Sequence, residues 1–114
     1  MIKTKEQITI NTEENAKGET KMYLADLKDF AGKNPRLRMY SHVSLKPGEM
    51  VEFHVHEGEC EYYYILKGYG VYDDNGKKIE VSEGTITFTP SGEGHGIENT
   101  GNEMLEFMAL VILD

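Results

Sequence analysis

Residues 48–68 read GEMVEFHVHEGECEYYYILKG, and this stretch decides the fold because it combines strand-like alternation with two closely spaced histidines. In an extended strand, His54 and His56 point to the same face, about 7 Å apart along the chain, while Val55 points to the other face. Glu61 follows a short loop containing a glycine, which can reset the alternation and bring its carboxylate to the histidine face. These three side chains are therefore candidate ligands of one metal ion.

A second stretch, GTITFTPSGEGHGIEN (residues 84–99), adds a third histidine after a loop of proline and glycine. His95 comes from a different hairpin, so the four candidate ligands would come from three strands. Only a closed or strongly curved sheet brings such side chains to one point. A lone histidine is more often structural than metal-bound, but a His-x-His pair with a carboxylate and a third imidazole favours a divalent transition metal.

From residue 36 onward the chain consists of short strand-like stretches separated by glycine, proline or Asn-Gly turns. This spacing, without a long helical stretch, predicts an all-β sandwich or barrel and argues against a parallel βαβ sheet. A hairpin turn is expected at 73–76. The expected strands are residues 37–45, 50–56, 61–68, 70–72, 77–84, 85–89, 95–99 and 104–113.

The first 35 residues are polar and mixed, and we expect them to form an arm of the same domain as the barrel at 36–114. The arm is predicted to contain a strand and a short helix around Met22–Phe30, since Tyr23, Leu27 and Phe30 would share one helical side.

The last predicted strand is apolar without alternation from Phe107 to Leu113, so both of its faces are expected to be covered. A barrel this small covers only the inner face. A second subunit is the simplest cover for the outer face, which predicts a homodimer. Burial under the N-terminal segment of the same chain is the alternative.

Composition limits the classes of partner. The formal net charge of -8 argues against nucleic acid or an anionic membrane, because both require basic patches. No run of about 20 apolar residues is present, so no membrane span is expected. The N-terminus does not resemble a signal peptide, and the single cysteine, Cys60, agrees with a reducing compartment. These features predict a cytoplasmic protein.

The two stretches together contain the patterns Gly48-x5-His54-x-His56-x4-Glu61-x6-Gly68 and Gly84-x5-Pro90-x-Gly92-x2-His95-x3-Asn99. At every fixed position they resemble the two motifs of the cupin superfamily, and the resemblance spans roughly residues 36–113. It implies a double-stranded β-helical (jelly-roll) barrel that often forms dimers. It also implies a metal centre whose ligands are His54, His56, Glu61 and His95. Because the superfamily contains isomerases, dioxygenases, decarboxylases, lyases, epimerases and non-enzymatic binding proteins, the resemblance does not select a reaction.

Three imidazoles and a carboxylate with two open positions suit octahedral Mn(II), Fe(II), Co(II) or Ni(II), or Zn(II) with a lower coordination number. The favoured function is an enzyme that uses the ion as a Lewis acid on a small polar substrate, namely a sugar, sugar acid or keto/hydroxy acid. Isomerase, lyase or decarboxylase chemistry requires no more than this. The alternatives are an Fe(II) dioxygenase and a non-catalytic metabolite- or metal-binding protein.

Three further residues, Arg38, His42 and Tyr63, are candidates for a role in catalysis or ligand binding. Tyr63 shares the alternation of Glu61, so it faces the interior, where it either donates a hydrogen bond to a ligand or packs. Arg38, Tyr40 and His42 share one face of the strand at 37–45. If that face lines the pocket, Arg38 can pair with a substrate carboxylate or phosphate and His42 can shuttle protons. If it faces outward, they are surface or interface residues, and alternation leaves both options open.

The acidic residues close to the metal motifs have a simpler interpretation. Their abundance near predicted loops is typical of solvated side chains rather than of a site. We therefore expect solvated carboxylates at Glu52, Glu57, Glu59 and Glu93.

Overall fold

The computed structural model describes residues 2–14, 21–26 and 34–114, which form ten strands preceded by a 3₁₀ turn at Lys5–Gln7. Among these residues no helix is long and apolar enough to cross a membrane. The strands are β1 (Ile10–Glu14), β2 (Lys21–Asp26), β3 (Leu37–Leu45), β4 (Met50–Val55), β5 (Glu59–Lys67), β6 (Tyr69–Asp74), β7 (Lys77–Ser82), β8 (Ile86–Thr89), β9 (Gly94–Glu98) and β10 (Leu105–Leu113).

The strands pair in two antiparallel sheets. One sheet has six strands in the order β1-β2-β3-β10-β5-β8, and the other has four in the order β4-β9-β6-β7. Strands far apart in sequence lie side by side, as β10 does between β3 and β5. This arrangement confirms the predicted all-β jelly roll.

The expected strand positions agree with the structure to within a few residues. β5 begins two residues earlier than expected, at Glu59, and β6 extends to Asp74. The turn between β6 and β7 is therefore only Asn75-Gly76, with φ of 50° and 102°. Both residues have positive φ, as a tight two-residue hairpin turn requires. Asn and Gly adopt this conformation more readily than other residues, which explains the Asn-Gly pair at this turn.

The expected helix around Met22–Phe30 is wrong where the structure describes it. Residues 21–26 form β2, which pairs with β1 on one side and with β3 on the other. Hydrogen bonding to the edge of β3 satisfies the backbone of this segment, and such tertiary pairing overrides a weak local helical pattern. Residues 27–33 lie outside the described part of the chain.

The core lies between the two sheets and is built from alternate residues of each strand. On β10, Leu105, Phe107, Ala109 and Val111 are all 0% exposed, whereas Met108 on the opposite face is partly exposed. The remaining core side chains come from both sheets. They are Val43, Leu45, Tyr63, Ile65, Tyr72, Val81 and Ile97.

Candidate metal centre

The four predicted ligands lie together at one end of the barrel interior. The Nε2 atoms of His54 and His95 are each 3.1 Å from Nε2 of His56. Oε1 of Glu61 lies 2.9 Å from Nε2 of His56 and 2.8 Å from Nε2 of His95. All four donor atoms lie within 4.8 Å of one another, so this group could hold a metal ion.

Three strands from both sheets carry the group. His54 on β4 is the register partner of His95 on β9. His56 lies just beyond β4, where its backbone N–H donates to Glu93 at 3.0 Å and its carbonyl accepts from Gly92 at 2.7 Å. Glu61 projects from β5 in the opposite sheet and is 4% exposed. The sheets therefore close around the four side chains, as the sequence predicted.

Two glycines on either side of His95 allow β4 to approach β9. A Cβ at Gly94 would lie 2.8 Å from the carbonyl oxygen of His54 and against the ring of Phe53. At Gly96 it would lie 2.9 Å from the backbone nitrogen of Phe53. Real Cβ atoms do not tolerate such contacts with backbone, so the Gly-His-Gly sequence is required for the two imidazoles to converge.

Each imidazole is also anchored through its second nitrogen. Nδ1 of His54 lies 2.7 Å from the backbone carbonyl of Glu52, and Nδ1 of His56 lies 2.6 Å from Oε2 of Glu59. Nδ1 of His95 lies 2.8 Å from the hydroxyl of Tyr72. Such partners fix the ring orientation of metal-binding histidines.

The hydrogen-bond pattern assigns the tautomers of two of these rings. A carbonyl and a carboxylate can only accept, so Nδ1 of His54 and of His56 must carry the proton, and in the neutral ring Nε2 then bears a lone pair. Two lone pairs 3.1 Å apart repel each other unless a cation lies between them. The donor set therefore fits a divalent transition metal.

The pKa of His54 favours the neutral, metal-binding form. Burial is the largest cause that lowers this pKa, and the neighbouring His95 and His56 lower it further. The hydrogen bond to Glu52 and the charge of Glu61 raise it, but the net direction is down. His54 is thus held in the form whose Nε2 lone pair is available to a metal.

Tyr63 packs beside the group on the inner face, as its alternation predicted. Its ring centroid lies 4.9 Å from that of His95 and 4.4 Å from that of Phe107. Burial raises the pKa of the Tyr63 phenol well above its usual value, and the nearby Glu61 and Tyr72 add to this, so the hydroxyl remains protonated. Tyr63 therefore supports the ring of the third histidine.

The three residues that share the predicted face of β3 have different surroundings. Arg38 reaches the rim of the group, where its guanidinium pairs with Glu59 at 2.6 Å. Nε2 of His42 lies 3.0 Å from Glu106 on the outer face of the six-stranded sheet. Tyr40 is 40% exposed and follows the same alternation as His42. The structure thus links Arg38 to the centre but brings neither His42 nor Tyr40 to it.

Sequence reasoning missed two residues that contact the histidines. The expectation of a solvated Glu59 is wrong, because its side chain is 12% exposed and bonds both His56 and Arg38. Burial raises the pKa of Glu59, but the hydrogen bonds from Arg38 and His56 outweigh this and lower it below its usual value. Tyr72 was assigned no role, and no local pattern marks it. Glu59 was detectable, since it shares the alternation of Glu61 once the strand begins at Glu59.

Comparison with known proteins agrees with this geometry. The family model "Cupin domain" matches residues 41–112. An oxalate-binding protein of Thermotoga maritima is 46% identical over 104 residues, which cover 91% of this chain and 84% of that protein. Oxalate decarboxylase OxdC of Bacillus subtilis is 28% identical over 95 residues, but the match covers 79% of this chain and only 24% of the enzyme.

A solved structure extends the agreement to the whole chain. The crystal structure of a predicted oxalate decarboxylase from Thermotoga maritima superposes with a TM-score of 0.91 at 42% identity, covering 100% of both chains. Together, the matching family model, the shared fold and the clustered histidines show that this chain belongs to the cupin family.

Proposed function

We propose that this chain is a mononuclear metal-binding cupin that binds oxalate, or a closely similar small dicarboxylate, at a divalent ion held by His54, His56, Glu61 and His95. The observation that carries the metal site is the convergence of three Nε2 atoms and one carboxylate, each imidazole being anchored at Nδ1. The suitable ions are Mn(II), Fe(II), Co(II), Ni(II) and Zn(II).

The charge of the centre supports an anionic ligand. Three neutral imidazoles and one carboxylate leave a divalent ion with one unit of positive charge, although the chain as a whole carries a net charge of -8. Val111 lies beside Glu61 on the inner face, and Met39 lies beside Val111. These apolar neighbours lower the local polarity, which strengthens attraction between the centre and an anion.

The dicarboxylate class is supported by the relatives. The protein from Thermotoga maritima that shares 46% identity is described as binding oxalate. Oxalate is small, doubly charged and able to occupy two adjacent coordination positions, which agrees with the two positions that four protein ligands leave open on an octahedral ion. This proposal replaces the sugar and hydroxy-acid substrates that the sequence favoured.

Decarboxylation of the bound ligand is a second candidate function, favoured by the 42% identical structure described as a predicted oxalate decarboxylase. The reaction converts oxalate and one proton into formate and carbon dioxide. A bound metal supplies Lewis-acid polarisation of the ligand oxygens. In this chain the partners at Nδ1 orient the three imidazoles. Val111 and Met39 place apolar side chains next to Glu61.

Metal analysis tests the centre directly. The protein is loaded with Co(II) or Mn(II), desalted and measured by elemental analysis. The parent is expected to retain one ion per chain, and the His54→Ala/His95→Ala double variant is expected to retain none. His42→Ala is the matched control, because His42 lies outside the group. Equal metal content in the parent and the double variant contradicts the assignment.

Ligand binding is tested on the metal-loaded protein by calorimetry and thermal denaturation. Oxalate is expected to bind and to raise the unfolding temperature, and a ligand at about 100 times its Kd adds about 2.7 kcal/mol to the free energy of unfolding. Acetate, with a single carboxylate, serves as the control and is expected to have a much smaller effect. Absence of any oxalate effect contradicts the ligand proposal. Formate production from oxalate distinguishes the enzyme from the binding protein.

We also propose that a second copy of the chain covers the outer face of the six-stranded sheet. That face carries large apolar or aromatic side chains that are 39–66% exposed, which is an unusual concentration for a solvated surface. They are Tyr40, Tyr62, Tyr64, Leu66, Ile86 and Phe88. Sedimentation at micromolar concentration is expected to give a dimer, and a monomer would contradict this proposal.

A further inference from the structure

A carboxylate outside the four-residue group connects that group to a distant arginine. Oε2 of Glu59 lies 2.6 Å from Nδ1 of His56 and 2.8 Å from Nη2 of Arg38, and Oε1 lies 2.6 Å from Nε of Arg38. The side chain of Glu59 is 12% exposed. Both carboxylate oxygens are engaged by the guanidinium, which fixes the plane of the carboxylate facing the imidazole.

Two irregularities of the backbone direct these side chains toward each other. The register of β3 on β10 shifts at Arg38, because Leu37 and Met39 pair with consecutive residues of β10. Such a bulge redirects the side chain of the extra residue. Gly58, with φ of 74°, turns the loop so that β5 begins at Glu59. Both irregularities therefore fall at or next to the two residues that make the contact.

The three histidines differ in the partner that holds Nδ1. His54 has a backbone carbonyl, and His95 has a phenol hydroxyl that also contacts Thr89. Among these three, only His56 has a charged partner at Nδ1. A carboxylate at Nδ1 holds the ring firmly and makes Nε2 a stronger donor to a metal. His56 is also the ring whose Nε2 contacts both of the other Nε2 atoms.

We propose that Glu59 is a positioning residue for His56 and that Arg38 holds Glu59 in place, so that the pair raises the affinity of the centre for its divalent ion. This inference rests on the proposed metal centre. Arg38 is thereby assigned a role through Glu59 and His56, rather than one as a direct anchor of the substrate.

Co(II) is the probe, because its affinity can be measured by competition with a chromophoric chelator and its d–d absorption reports the ligand geometry. Glu59→Ala is expected to lower the Co(II) affinity about 10- to 100-fold and to change the d–d spectrum at saturating Co(II). Glu59→Gln is expected to lower the Co(II) affinity less than Glu59→Ala does, because the glutamine amide oxygen still accepts a hydrogen bond from Nδ1 of His56. Glu57→Gln is the control, since it removes a charge from an exposed position of the same loop.

The arginine is tested in the same assay. Arg38→Ala is expected to lower Co(II) affinity by less than about tenfold, because Glu59 retains its bond to His56 but loses its support. Arg38→Lys is expected to recover only part of this loss, since an ammonium cannot form the two-pronged contact. Arg36→Ala, at an exposed neighbouring position, is expected to match the parent.

The outcomes separate this inference from the proposed function. If the parent binds no Co(II), the metal centre and this inference fail together. If the parent binds Co(II) and Glu59→Ala has the same affinity and spectrum, the inference alone is overturned. A lower unfolding temperature of the metal-free Glu59→Ala protein with unchanged Co(II) affinity also overturns it, because it shows a purely structural role.

Discussion

The two faces of strand β5 depart from the usual division of a half-buried sheet into an apolar inner face and a polar outer face. On the inner face, Glu61, Tyr63 and Ile65 are 4%, 3% and 0% exposed, so a carboxylate is buried beside core side chains. On the outer face, Tyr62, Tyr64 and Leu66 are 39%, 48% and 39% exposed. Here a charged carboxylate lies inside and aromatic rings lie outside.

This difference shows that the two faces are stabilised by different partners. Inside, Oε1 of Glu61 lies 2.8 Å from Nε2 of His95, and apolar side chains surround the pair. Outside, no other described residue of the chain fully covers the rings of β5. The inner face therefore depends on packing and polar contacts within one chain, whereas the outer face is suited to contact with a second molecule.

The largest expected effect on the free energy of unfolding comes from truncating a buried side chain on the inner face of β10. Phe107 is 0% exposed and packs on Tyr63, so Phe107→Ala is expected to lower the free energy of unfolding by about 3–5 kcal/mol. Met108→Ala, one residue away on the outer face, is the matched control. Its cost to a single chain is expected to be clearly smaller because Met108 is only partly buried. Chemical denaturation of metal-free protein measures both, and equal losses would contradict the distinction between the faces.

Alternation in the sequence predicted much of this asymmetry. It correctly placed Tyr63 on the inner face with Glu61, because the histidine motifs indicated which face is inside. The convergence of the four metal-ligand candidates was also predicted, because strand period and the glycine positions are local properties of the sequence.

The sequence could not predict features that depend on pairing between distant strands. The segment 21–26 is a strand because β3 offers it a partner, which a helical pattern in isolation does not reveal. Tyr72 reaches His95 from another hairpin, and no spacing in the sequence encodes that contact. The link from Arg38 to Glu59 coincides with a bulge, and a bulge cannot be placed by counting residues in β3 alone.

Removal of one buried hydroxyl, that of Tyr72, is expected to have an intermediate effect on the free energy of unfolding. Tyr72→Phe removes the contacts with Thr89 at 2.9 Å and with His95 at 2.8 Å while retaining the ring. The free energy of unfolding is expected to fall by about 1 kcal/mol. Metal affinity is expected to fall about 10- to 100-fold, because Nδ1 of His95 loses its partner.

The control for this change is Tyr69→Phe, which also deletes a phenol hydroxyl, but at a residue that is 40% exposed and hydrogen-bonded to Glu80. Competition titration with Co(II) compares the two variants with the parent. If Tyr72→Phe and Tyr69→Phe retain the same affinity, the Tyr72 hydroxyl does not orient His95.

Substitution on the outer face of β5 is expected to have the smallest effect on the free energy of unfolding of a single chain. The same substitution is expected to weaken the proposed dimer measurably. Tyr64→Ser replaces a 48% exposed ring, so the stability of the isolated chain should change by no more than about 0.5 kcal/mol. The same change removes apolar surface from the proposed contact with a second copy, and sedimentation is expected to shift from dimer toward monomer. Val55→Ser is the control, because Val55 is 54% exposed on the other sheet. A dimer that is weakened by Val55→Ser and not by Tyr64→Ser would place the contact on the four-stranded sheet, and the outer face of β5 would then need no partner.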